Sequence, residues 1–212
     1  MTSISSMMAV DRQPEPPTPG HGGPEGNARL TAAVGAVLLV LFAVQGVTIL
    51  FLGQLLTVHF FVGLLLIGPV GLKLAATGYR FFRYYTGSPA YRREGPPAPL
   101  LRALGPLVVA STVTVLATGV LMALFGRHAG PVPLPLLHKA SFLGWLAVTG
   151  LHVLAHVWRL PRLIGADLRN RPARHGTSAP GRGRRWSLLA LALAAGLALA
   201  LAGTQLASGW RR

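Results

Sequence analysis

The chain has 212 residues, 51% of them hydrophobic, and carries a formal net charge of +15 from 20 Lys+Arg against 5 Asp+Glu. It has no cysteine, which excludes disulfides and Cys-ligated metal clusters. The basic excess lies in loops between long apolar runs, so membrane topology accounts for it, and nucleic acid is not expected as a partner.

Residues 1–28 include PEPPTPGHGGPEGN, lack an apolar h-region, and read as a disordered cytoplasmic tail. A spanning helix needs roughly 20 mostly apolar residues. Five segments meet this in chain order: Leu30–Leu52, Leu55–Tyr79, Leu104–Phe125, Leu137–Trp158 and Trp186–Leu206. The expected fold is an all-α membrane protein, with a four-helix transmembrane bundle over 29–160. A basic cytoplasmic loop follows at 161–185, then a fifth transmembrane helix and short tail at 186–212.

The loop after the second span carries Arg80, Arg83, Arg92, Arg93 and Arg102, and the loop after the fourth is richer still in arginine. Basic loops stay in the cytoplasm. The N-terminus is therefore expected inside, in a multi-pass protein of the cell inner (plasma) membrane. Spans one, three and five run outward, and two and four run inward. Arg211 and Arg212 then fall outside, against the rule.

The first four spans look like two copies of one helix pair. Aligning VHFFVGLLLIGPVGLKLAATGYRFF with LHKASFLGWLAVTGLHVLAHVWRLP puts His59 on His138, Lys73 on His152 and Arg80 on Arg159. In the preceding helices QGVTIL falls beside TGVLMAL, with Gly46 on Gly119.

Ionisable residues within membrane spans are costly and are functional candidates. Here they are His59, Lys73, His138, His152 and His156. His59 lies 21 residues before Arg80, and His138 lies 21 before Arg159, so both histidines are expected at one depth near the outer side. The step from His138 to His152 is 14 residues, close to four turns, so the two share a helix face. One histidine on each of two parallel helices at equal depth suits axial ligation of one haem iron, held non-covalently since no cysteine is present. Gly46 and Gly119 would let a porphyrin approach, although taken alone such glycines are better explained by helix packing.

His59 with GLLLIGP after it, and LLHKASFLGWLAVTGLHVLAH, carry a resemblance to the bacterial four-helix b-type cytochromes. These include the haem-bearing membrane subunits of formate dehydrogenase and nickel–iron hydrogenase. The resemblance covers Leu30 to Trp158 and implies an electron-transfer subunit, itself non-catalytic, of an oxidoreductase. It implies haem b, with His59 and His138 as iron ligands. Its implied partners are an extracytoplasmic or membrane redox partner and quinone, beside the lipid bilayer. Members with two haems need four histidines. Here Lys73 faces His152 at the inner level, so one haem is expected and a second is not. Lys73 is expected to snorkel to the inner surface or to neutralise an anion. Lys139, next to His138, is a candidate for pairing with a propionate.

No P-loop, no GxGxxG in a strand–helix setting and no HExxH is present, and all five acidic residues lie outside the spans. Two other readings stand beside the cytochrome. One is a haem-free structural or assembly protein. The other is a small transporter using His152, His156 and Lys73, for which the lack of an intramembrane carboxylate counts against.

Overall fold

The computed structural model describes residues 23–93, 95, 99–129, 131–159, 161, 164–165 and 181–205. In chain order the elements are α1 (Gly23–Leu50), α2 (Leu52–Tyr85), α3 (Pro89–Arg93) and α4 (Pro99–Phe125). A two-residue hairpin, β1 (His128–Ala129) and β2 (Val132–Pro133), leads to α5 (Leu134–His156) and, after a single 3-10 turn over Val157–Arg159, to α6 (Arg182–Gly203). The chain is an all-α multi-pass membrane protein: four helices, Gly23–Leu50, Leu52–Tyr85, Arg102–Phe125 and Arg182–Gly203, are long and apolar enough to cross a bilayer.

Sequence reading expects five such helices. The missing one is α5, which forms as a helix of 23 residues but carries His138, Lys139, His152 and His156. Those four side chains take its hydropathy below that of the other four.

Two boundaries also shift. The helix α1 starts at Gly23, inside the segment assigned to the tail. There Glu25 and Arg29 pair one turn apart at 3.0 Å, and Asn27 donates to the Ala76 carbonyl at 3.0 Å. Both contacts fix the first turns of a stretch whose composition alone suggests disorder. At the other end Arg182–Arg185, assigned to the basic loop, are the first turn of α6. Residues 1–22 of the tail and most of the 161–185 loop lie outside the described residues.

Helices α1 and α2 are antiparallel and joined by Phe51 alone. Their register is constant along the length: Asn27 reaches Ala76, Lys73 donates to the Thr31 carbonyl at 2.6 Å, and Gln45 meets His59. Helices α4 and α5 pair the same way. Trp145 Nε1 donates to Thr112 Oγ1 at 3.1 Å, and Thr118 meets His138. The bundle closes where Phe42 of α1 meets Trp145 of α5 edge-on, with ring centroids 4.7 Å apart.

Apolar burial adds little between helices in lipid, so close approach and interhelical hydrogen bonds hold them. Trp145→Phe removes one such bond and leaves the buried Thr112 hydroxyl without it. The expected cost is about 1 kcal/mol, read as a lower unfolding temperature in detergent. An unchanged temperature would mean that the Phe42 contact alone fixes the ring.

The main core cluster draws Leu30, Val34 and Leu38 from α1, Val62, Leu66 and Val70 from α2, and Leu189 from α6. The last helix therefore packs behind α2. The approach is backbone to backbone: a Cβ placed on Gly196 would fall on the Leu65 carbonyl oxygen, and one on Gly68 would fall on the Ala192 carbonyl oxygen. Pro69 explains the site. Within α2 it has no N–H to give to the carbonyl four residues back, which is that of Leu65. A freed carbonyl in a membrane helix needs a neighbour, and Gly196 brings its Cα hydrogens there.

Between α2 and α4 the contact is sparse. Phe60 packs with Ala123 and Leu56 at the histidine-bearing end. Below it lies an open groove of about 500 Å³ whose lining is almost entirely apolar and includes Ile67, Val70, Gly71, Val113 and Leu116.

Candidate functional site

The site is assembled at the ends of α1 and α4 and the beginnings of α2 and α5. His59 comes from the second turn after the break in α2, where Leu55 leaves helical geometry at φ −104°, ψ 18°. His138 comes from the second turn of α5, which opens after Pro133 with a proline in its first turn. The two imidazoles face one another across the bundle with ring centroids 6.5 Å apart and planes at 80°. The equal depth expected from sequence is thus present, on two helices that run in the same direction.

Each ring is tied at Nδ1 to the neighbouring helix of its own hairpin. His138 Nδ1 lies 3.0 Å from Thr118 Oγ1. His59 Nδ1 lies 2.9 Å from Thr48 Oγ1 and 3.0 Å from Gln45 Nε2. Gln45 Nε2 also donates to the His59 carbonyl at 3.2 Å, while its Oε1 is buried with no hydrogen-bond partner. Ser141 completes the second cluster, 3.0 Å from Thr118 Oγ1 and donating to the His138 carbonyl at 2.9 Å.

Sequence reasoning missed Gln45, Thr48, Thr118 and Ser141. A signal was present: the alignment that puts His59 on His138 and Gly46 on Gly119 also puts Gln45 on Thr118. These are the residues that meet the two histidines.

Gly119 makes room for a ring. A Cβ there would sit 3.2 Å from His138 Cε1 and 3.7 Å from its Nδ1. Gly46 faces open space, with nothing within 4 Å of such a Cβ. Lys139 is exposed, one residue and so about 100° round the helix from His138. Of the aromatic residues near the site, Phe60 packs on Ala123 and Phe61 against the α1–α2–α6 core. Trp145 is buried two turns below His138, stacked on Phe142 at 6.0 Å and held by Thr112. It forms a floor under the histidine pair.

The inner group is arranged differently from expectation. Lys73 does not snorkel: its ammonium is committed to the Thr31 carbonyl on α1. It stays within electrostatic reach of His152. His152 stacks on His156 with centroids 4.4 Å apart, and His156 Nδ1 lies 2.9 Å from the His152 carbonyl. His152 Nδ1 is buried and has no hydrogen-bond partner.

Among the described residues no group of three His, Cys, Asp or Glu side chains converges on a point. Among the described residues the outer site therefore offers two imidazole ligands. An iron between two imidazole nitrogens at about 2 Å each, with roughly 1.1 Å from nitrogen to ring centre, requires centroids about 6.2 Å apart. The observed 6.5 Å agrees with that spacing. The chain matches no protein-family model, no curated protein and no solved structure.

Proposed function

We propose that this chain is a b-type membrane cytochrome that holds one haem between His59 and His138 and serves as an electron-transfer subunit. The observation that carries the proposal is the facing pair of imidazoles at iron-bridging separation, each hydrogen-bonded at Nδ1 to a threonine of the adjacent helix. Haem, when bound, supplies the one-electron redox step. The residues do the rest. His59 and His138 offer axial nitrogens from two helices, Thr48 and Thr118 orient the rings, and Trp145 closes the site toward the membrane centre. Gly46 leaves open space on α1, and Lys139 is a cation for a propionate.

On this reading α5 spans the bilayer as the fourth helix of the bundle, since its 23 residues reach about 34 Å and it pairs along its length with α4. The two hairpins are repeats of one unit, in which Gln45 and Thr118 take equivalent places beside the histidines. Positive loops put the N-terminus inside and the histidine pair outside, in the plasma membrane. A redox partner then meets the outer end, and quinone is the membrane carrier implied. Lys73 occupies the place that a fourth ligand would take, which argues for one haem.

The test is an oxidised and a dithionite-reduced visible spectrum of the purified protein, with a haem-to-protein ratio. Sharp reduced bands at a ratio near one are expected. A ratio near two would overturn the single-haem assignment. A colourless protein, even when expressed with added haem, would overturn the cytochrome and favour the transporter or haem-free readings.

A further inference from the structure

We infer that Thr118 and Thr48 are positioning residues that hold His138 and His59 as Nδ1–H tautomers, so that both rings keep an unprotonated Nε2. For its consequence on haem the inference rests on the function proposed above; for the tautomers it rests on hydrogen bonding alone.

Thr118 Oγ1 lies 2.9 Å from the Thr114 carbonyl and 3.0 Å from that of Val115. Carbonyls only accept, so the single hydroxyl proton points to them and a lone pair is left toward His138 Nδ1 at 3.0 Å. A hydroxyl turned the other way would set its lone pairs against two carbonyl oxygens. The imidazole then donates from Nδ1, and the second Thr118 lone pair faces Ser141 Oγ at 3.0 Å, whose proton is shared between it and the His138 carbonyl. Thr48 repeats the arrangement: its hydroxyl donates to the Gln45 carbonyl at 2.7 Å and faces His59 Nδ1 at 2.9 Å.

Gln45 completes the case for His59. Its amide nitrogen stands 3.0 Å from Nδ1 and 3.4 Å from Nε2, while its oxygen is buried and unpartnered. The two ends of an amide have the same shape, so turning it over presents Oε1 to Nδ1–H as a second acceptor. That exchange gives up the 3.2 Å bond to the His59 carbonyl. The Nδ1–H tautomer then serves His59 and Thr48 and gives the Gln45 oxygen a donor, while the Gln45 amide hydrogens take over the position without a partner.

The second partner of a metal-binding imidazole fixes its tautomer, orients its plane and raises the basicity of the coordinating nitrogen. Here both second partners are threonines on the preceding helix of the same hairpin, so each hairpin carries its ring ready-set.

The test uses the full chain labelled with ¹⁵N-histidine in detergent micelles, before haem is added. His59 and His138 are expected to show a protonated Nδ1 and a bare Nε2. In Thr118→Val the His138 signal becomes a mixture of tautomers, haem affinity falls about tenfold, and the midpoint potential moves. Thr118→Ser keeps the hydroxyl and restores all three. A protonated Nε2 on His138 in the wild-type chain overturns the inference, as does a Thr118→Val protein that matches wild type in tautomer and affinity. Wild-type Nδ1–H tautomers in a chain that takes no haem would uphold the tautomer inference and remove the cytochrome. Haem uptake by a chain with Nε2–H at His138 would do the reverse.

Discussion

If the proposed cytochrome is right, alanine at either His59 or His138 is expected to take the haem-to-protein ratio from near one to near zero, while alanine at His152 is expected to leave it unchanged. The asymmetry follows from geometry. His59 and His138 face each other at 6.5 Å, and each is the sole imidazole its helix brings to that gap. One remaining ligand cannot hold the low-spin six-coordinate state, so even residual haem would show a broadened reduced spectrum. His152 stacks on His156 instead, and Lys73 opposite it is bonded to the Thr31 carbonyl. A pyridine haemochrome assay on the three variants decides the matter. Full haem content in His59→Ala would show that the pair is not the ligand set, and loss in His152→Ala with retention in His138→Ala would move the site inward.

Leucine at Gly196 separates α6 from α2 and is expected to destabilise the protein by more than the 1–3 kcal/mol usual for overpacking. The reason is what lies opposite. A side chain can turn aside for an added methyl group, but the Leu65 carbonyl is backbone and cannot. Separation also returns that carbonyl, already without its helical donor because of Pro69, to hydrocarbon. Gly196→Leu should therefore shift the main peak in size-exclusion chromatography toward aggregate and lower the unfolding temperature by many degrees. Leucine at Gly105, where no neighbour lies within 4 Å of an added Cβ, controls for the loss of a glycine as such. Equal behaviour of the two variants would show that α6 is not locked to α2 through this contact.

The spans were legible because a bilayer imposes one length on every apolar helix, and Leu55–Tyr79 or Leu104–Phe125 have no other use for so many apolar residues. The histidine pair was legible because helices convert sequence spacing into depth. The start of α1 was not, since a Pro- and Gly-rich stretch carries no sign that Asn27 will find the Ala76 carbonyl 49 residues away. Threonines in helices usually return their hydroxyl to their own backbone, and Thr48 and Thr118 do that as well. Their second bond, to a histidine on another helix, exists only once the hairpins close. The direction of Lys73 was likewise hidden. Snorkelling is the default for a lone lysine, and only the nearby Thr31 carbonyl reverses it.

The order of helices along the chain has a consequence for biosynthesis. The α4–α5 hairpin lies in sequence between α2 and the helix that backs α2, so α6 leaves the ribosome after that hairpin and the first three-helix block stays incomplete until then. During that interval Gly68 and the Leu65 carbonyl are open to lipid or to a chaperone, while His59 and His138 can already meet. Docking of α6 then completes the three-helix block, and a chain truncated before Arg182 would hold His59 on a helix that nothing supports from behind.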